Sequence, residues 1–180
     1  YLQRSVDRRD GFHAVLYRTK LVKVALCADQ PERAEAEIER ARRVLSGEDY
    51  HQLHFRLLYA AVETALYRAD AQGAWELISE DWWALRRSLL LLTEQLRMDA
   101  WSLRGRAACA RIGSSTGWRR RKAQFDARRA AGKIRESGNG WAEGFADAIE
   151  ARMALADGMV EPAAEGWASA EEQFRARDML

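Results

Sequence analysis

An otherwise helix-forming chain is broken at almost constant intervals. Asp29, Asp70, Gly113 and Asp157 each stand where an apolar-periodic run stops, and successive breaks lie 41, 43 and 44 residues apart. A period of that size predicts an array of similar helix hairpins, each too small to bury a core alone and stabilised by stacking on its neighbours. It exceeds the roughly 34 residues of a standard tetratricopeptide repeat. An Ala–large apolar–Ala pattern, clearest in the second and eighth helices, is nonetheless of that class. Alanine lets neighbouring helices approach, while Ile38 or Trp167 fills the space between them. The predicted fold is all-α: one tetratricopeptide-like array over residues 1–180, a right-handed α-α superhelix of about four antiparallel helix pairs.

The helices follow from apolar spacing of three and four. Val15, Thr19, Val22 and Leu26 mark the first, from about Phe12 to Ala28. Pro31 opens the second at a position where its missing N–H is harmless, with Asp29 or Gln30 as cap and Ser46-Gly47 as its end. A third runs from about Tyr50 to Arg68, and a fourth carries Ala74, Leu77, Ile78, Trp82 and Leu85. A fifth spans about Leu92 to Arg111 and is broken by Gly113-Ser114-Ser115-Thr116-Gly117. The sixth, Trp118 to Ile134, has a thin apolar line of Trp118, Phe125, Ala131 and Ile134. The seventh carries Trp141, Phe145, Ala148, Met153 and Leu155, and Pro162 is expected to open the eighth as Pro31 opens the second. Leu2 to Arg9 reads as the tail of an earlier helix. With Tyr1 in place of a starting Met, this predicts a segment of a longer array.

Composition narrows the function classes. Of 180 residues, 48% are hydrophobic and 31% charged, which argues against disorder. The longest aliphatic run, Leu89 to Leu92, is far short of a membrane span, and no leader-like opening is present. Two cysteines, Cys27 and Cys109, make no disulfide framework, so a reducing, cytoplasmic setting is expected. Residues 114–135 hold Arg119, Arg120, Arg121, Lys122, Arg128, Arg129, Lys133 and Arg135 against Asp126 alone. The remainder is therefore net acidic, unlike a dedicated nucleic-acid module. The basic helix reads as a solvated face, with contact to an acidic partner left open.

Other constellations favour structure over chemistry. His51 and His54 share a helix face but lack a third metal ligand, so a hydrogen-bonding or packing pair is expected. Gly113 to Gly117 lacks the Gly-Lys-Ser/Thr ending of a phosphate loop and reads as a turn. No nucleophile motif surrounds His13, His51 or His54, and Cys109 among alanines reads as a small buried thiol. Glu80-Asp81 and Glu171-Glu172 read as solvated faces. Trp75, Trp101, Trp141 and Trp167 fall on apolar lines and are expected in the core. Trp82 and Trp83 are about 100° apart on a helix, so one of them reaches outward. With Arg86 and Arg87 one turn later they form the best candidate contact patch, since aromatic and Arg side chains anchor interfaces. A pair buried against a neighbouring hairpin is the alternative.

The stretch from Tyr50 to Ala110 is the most distinctive. It contains His51-Gln52-Leu53-His54-Phe55, Leu66-Tyr67-Arg68-Ala69-Asp70, Ala74-Trp75, Trp82-Trp83-Ala84-Leu85-Arg86-Arg87-Ser88-Leu89-Leu90 and Leu103-Arg104-Gly105-Arg106-Ala107-Ala108. This run resembles the C-terminal helical-repeat region of large bacterial serine/threonine protein kinases of the eukaryotic-like type. The ending Phe174-Arg175-Ala176-Arg177-Asp178-Met179 resembles the last repeats of that array, so the likeness extends over about Phe12 to Leu180. The resemblance implies protein–protein contact or regulation, with no catalytic residue to carry over and no cofactor or metal. It also implies a concave groove lined by helices starting near Gly11, Tyr50, Leu92 and Trp141. The kinase parts are missing: Asp10-Gly11-Phe12 has the right letters in the wrong order, and Arg8-Arg9-Asp10 is followed by no Asn at catalytic-loop spacing.

The expected role is a non-catalytic segment that binds a protein or peptide, including other domains of a parent chain. Its candidate contact residues are Trp82, Trp83, Arg86, Arg87, His51, His54, Arg119, Arg120, Arg121 and Lys122. Two alternatives stand beside it: an effector-sensing array of a signal-transduction ATPase, which a deep closed apolar pocket would favour, and a nucleic-acid contact through residues 118–135. An enzyme ranks last.

Overall fold

The computed structural model describes residues 2–45, 49–138 and 140–176. They are helical, with no strand among them: α1 (Leu2–Cys27), α2 (Pro31–Val44), α3 (Gln52–Tyr67), α4 (Ala71–Arg87), α5 (Glu94–Ser114), α6 (Gly117–Arg135), α7 (Gly140–Ala156) and α8 (Val160–Arg175). A single 3-10 turn, Leu89–Leu92, follows α4. The chain divides into two compact units, Tyr1–Leu91 and Leu92–Leu180.

In the first unit α1 packs on α2 and α3, α2 on α3, and α3 on α4. Val15, Val22 and Ala25 of α1 meet Ala34, Ile38 and Ala41 of α2 and Leu53, Leu57 and Ala61 of α3. The predicted stripe of α1 is thus the buried one. One charge lies inside this packing. Glu37 is 5% exposed and accepts hydrogen bonds from Arg18, at 2.8 Å, and from Arg40. Burial pushes the Glu37 carboxyl up, but the two guanidinium groups outweigh it and hold the group below the usual carboxylate range. Its share of stability is therefore present at neutral pH and lost as acid protonates the folded form.

In the second unit α5 packs on α6 and α7, α6 on α7, and α7 on α8. Alanine dominates the inward faces: Ala123, Ala127, Ala130 and Ala131 of α6 are buried, as are Ala142, Ala146 and Ala151 of α7. Small side chains bring helix axes close, and Leu103, Ile112, Ile134 and Ile149 fill what remains.

Three of the four predicted breaks share one geometry. At the ends of α1, α3 and α7 the chain turns through a left-handed residue: Asp29 (φ 54°), Ala69 (φ 59°) and Gly158 (φ 79°). The next N–H, of Gln30, Asp70 or Met159, donates at 2.9 Å to the carbonyl five residues back, on Ala25, Ala65 or Ala154. This closes the helix in a Schellman motif. The same residue is the N-cap of the following helix, so each hairpin reverses with no spare residue. Only Gly158 adopts positive φ freely. Asp29 accepts a 2.6 Å hydrogen bond from the Tyr67 hydroxyl, whereas Ala69 carries the cost of its Cβ. Ala69→Gly is therefore expected to raise stability by about 0.5–1 kcal/mol, read as a later urea midpoint at unchanged helicity.

Four expectations are corrected. Leu2 to Arg9 belongs to α1 itself, because Gly11 sits inside one continuous helix; a helical Gly costs only about 1 kcal/mol relative to Ala. A Cβ at Gly11 would come 3.7 Å from the Val44 side chain, so the position marks the close passage of α2. Gly113 and Ser114 continue α5, and the break falls on the extended residues Ser115 and Thr116 followed by the left-handed Gly117 (φ 56°), without the hydrogen-bonded closure of the other three. Pro162 lies two residues inside α8, in the first turn, where an N–H has no partner to lose. Finally, Trp118 and Phe125 do not form the apolar line of α6: they are 64% and 60% exposed, and Ala123, Ala127, Ala130, Ala131 and Ile134 face inward instead. The predicted α2 ending at Ser46-Gly47 and the resemblance at Arg177, Asp178 and Met179 lie outside the described residues.

Candidate functional sites

His51 and His54 form the N-terminal cap of α3. His51 is the N-cap and its Nδ1 accepts from the Leu53 N–H at 3.3 Å, while His54 Nδ1 accepts from the His51 N–H at 3.3 Å. The rings meet edge to face with centroids 4.2 Å apart, and Tyr50 stacks on His54 at 5.4 Å. A capping box normally pairs Ser or Thr with Glu or Gln; here two imidazoles supply both acceptors. Each acceptor must be unprotonated. Burial, then the neighbouring His51, holds His54 below its ordinary pKa. The unfolded chain therefore binds this proton more readily, and the contribution is full above the unfolded value of 6.5 and falls as pH drops below it. From about pH 7.5 to about 5.5 the stability of this unit should therefore fall through His54. His54→Gln keeps an acceptor and should flatten that part of the profile, as read from thermal melts at each pH.

Beside this cap lies a half-open cavity of about 190 Å³ between α2, α3 and α4. Leu57, Leu58, Ala61 and Leu77 form its floor, and Arg42, His54, Glu80 and Asp81 stand around it. Asp81 is half-buried. Burial and the nearby Glu80 raise its carboxyl above the usual range, partly offset by Tyr50 and Arg42. The Tyr50 oxygen is cut off from solvent beside Asp81 without a hydrogen bond of good geometry, and burial with the carboxylate pushes the phenol well above its normal range. Of the pair expected on a solvated face, only Glu80 is exposed. Sequence reasoning passed over Arg42, Tyr50 and Asp81. The signal was the line Ala74, Ile78, Asp81, Leu85, which places Asp81 at helical spacing among residues that are fully buried. The cavity brings opposite charges above an apolar floor, at a volume below the roughly 300 Å³ where small-molecule pockets begin.

On α4 the expectation for the adjacent tryptophans holds. Trp83 is 66% exposed and Trp82 is half-buried. The Arg87 guanidinium lies 4.4 Å from the Trp83 ring centroid, and Arg86 is exposed beside it. A guanidinium stacked on an exposed indole is a pre-ordered contact element.

The basic helix α6 separates into two sets. Arg120 donates to the Ile112 and Ala156 carbonyls, each at 2.8 Å, and to Asp157 at 2.6 Å, so its guanidinium is an internal clamp. Arg135 binds Glu143, Asp147 and Glu150 of α7, whose hydrogen bonds raise its pKa further. Lys122 pairs with the buried Asp126 at 3.0 Å, and Lys133 with Glu136. Arg121, Arg128 and Arg129 are exposed and meet no carboxylate among the described residues, while Arg119 lies 5.8 Å from the Trp118 ring.

Of the tryptophans expected in the core, Trp101 is buried and Trp75 and Trp141 are half-buried. Trp167 is 38% exposed, with Arg152 5.1 Å from its ring. Cys109 is buried as expected, its thiol pushed up to about 12 by burial, and Cys27 is exposed. Among the described residues no three His, Cys, Asp or Glu side chains gather as a metal site, and no helix is long and apolar enough to cross a membrane. No protein-family model, curated protein or solved structure matches this chain.

Proposed function

We propose that this chain is a non-catalytic, tetratricopeptide-like interaction segment, of the right-handed α-α class found after the catalytic domains of large bacterial serine/threonine kinases. The observation that carries the docking role is the exposed Trp83–Arg87 stack on α4, flanked by Arg86. An indole left in water and held by a guanidinium stabilises little within the chain, and such pairs anchor interfaces. The partner is a protein or peptide segment with an apolar side chain for the Trp83 face and a carboxylate for Arg86 or Arg87. The recurring left-handed hinge supports the repeat character, because identical reversals at Asp29, Ala69 and Gly158 are what a duplicated hairpin leaves.

The test is affinity capture with the chain and with Trp83→Ala/Arg87→Ala, both checked for helicity. A protein held by the parent and lost by the variant, at unchanged fold, supports the role. Equal capture by both removes it. The cavity beside Asp81, half-open and about 190 Å³, falls short of the deep closed pocket that a second reading, the sensing of a small effector of mixed polar and apolar character, calls for. A thermal shift on adding such a compound, abolished by Leu58→Trp filling the cavity, would support that reading instead.

A further inference from the structure

We propose that this chain self-associates, the solvent face of α6 in one copy lying antiparallel on the solvent face of α8 in another. The two faces are built on one pattern. Trp118, Arg121, Lys122, Phe125, Arg128 and Arg129 follow the spacing i, i+3, i+4, i+7, i+10, i+11, which is one side of a helix. Glu161, Ala164, Glu165, Ala168, Glu171 and Glu172 repeat that spacing 43 residues later. All twelve positions are exposed. The first set has two large aromatics and no acid; the second has alanines on its seam and no base.

Most of these charges have no partner at home, the exception on α6 being Lys122, which pairs with the buried Asp126. Arg121, Arg128 and Arg129 have no acidic partner among the described residues, and Glu161, Glu165 and Glu172 have no basic one. Glu171 has only its own Arg175, one turn on. Each face remains open although its helix is already packed from behind, α6 by α5 and α7 and α8 by α7.

Laid antiparallel, the faces match. With Phe125 seated on Ala168, Arg129 lies beside Glu165, Lys122 beside Glu172 and Arg121 beside Glu171, because equivalent flanks pair in antiparallel helices. Ala168 leaves room for the Phe125 ring, which a larger residue there would deny it, and Trp118, seven residues before Phe125, falls opposite Arg175 in this register. Each copy carries both faces in the same unit, and the assembly proposed is the two-fold dimer in which the contact is made twice. The inference is independent of the partner proposed at Trp83, since the two surfaces share no residue and either can fail alone.

Sedimentation equilibrium of the full chain tests it. The chain should dimerise at low salt, and raising ionic strength from about 50 mM to about 500 mM should weaken association at least about tenfold. A basic-face variant (Arg121→Glu, Arg128→Glu, Arg129→Glu) and an acidic-face variant (Glu165→Lys, Glu171→Lys, Glu172→Lys) should each be monomeric where the parent is dimeric. All six changes lie on exposed positions, and circular dichroism verifies the fold. Mixed in equal amounts, the two variants should associate again, because each now offers what the other lacks. A monomeric parent at low salt, variants that associate like the parent, or a mixture that stays monomeric would each overturn the proposal. If the parent is monomeric but its basic face retains an acidic peptide, a single-stranded oligonucleotide or anionic vesicles, the surface belongs to that partner and not to a second copy.

Discussion

Arg120→Ala is expected to lower the stability of the second unit by about 2–4 kcal/mol in urea titration. The guanidinium closes two helix ends at once. It donates to the Ile112 carbonyl near the end of α5, to the Ala156 carbonyl at the end of α7, and to the Asp157 carboxylate. Carbonyls in a last helical turn have no partner within their helix, and a cation there also meets the negative end of the dipole. Alanine would leave two carbonyls and a half-buried carboxylate to whatever water can reach them. Gln124 still donates to Asp157, at 2.9 and 3.0 Å, so the carboxylate is not fully abandoned and the upper part of the range applies only if the carbonyls stay dry. Arg120→Lys, one point charge in place of a fork, should recover less than half of the loss. A loss below about 1 kcal/mol for the alanine variant would show that water replaces the guanidinium.

Gly105→Leu should be nearly as damaging, at about 3 kcal/mol. Gly105 is where α5, α6 and α7 come together: a Cβ there would sit 2.6 Å from Ile149 Cδ1 and 3.1 Å from Ala130 Cβ. Real side chains do not approach so closely, so a larger residue must push two helices apart. The alanine variant separates the contributions. One methyl gains about 1 kcal/mol of helix propensity, and its nearest neighbour is the movable end of Ile149. Gly105→Ala should therefore be near neutral, and Gly105→Ala with Ile149→Val should couple favourably in a double-mutant cycle. Additive losses would place the obstruction at Ala130 instead.

The helices and most breaks were readable because breaking residues and apolar spacing act locally. Asp29, Asp70 and Asp157 stand at or beside the observed hinges for that reason. What escaped were features set by the environment of a side chain. Trp118 and Phe125 look like core residues by type, yet α6 turns its alanines inward because the close approach of α5 and α7 leaves no room for rings. Arg120 looked like one more surface cation, and nothing in its neighbours in the chain shows that Ala156 lies within reach. The histidine pair was legible as a pair near a helix start. That both rings accept backbone N–H groups required their χ angles. Asp81 was legible by spacing, and its charge led away from the apolar line it occupies.

The hinges also decide where the chain tolerates change in length. At Asp29, Ala69 and Gly158 the residue that completes one helix also begins the next. One amino acid inserted there would swing the following helix by about 100° and turn its inward alanines to solvent. The link through Ser115 and Thr116 is extended on both residues and bound by no such closure. Tags, reporter loops or split-protein junctions are best placed at that link, and a library of random insertions should recover folded members there and not at the three reversals.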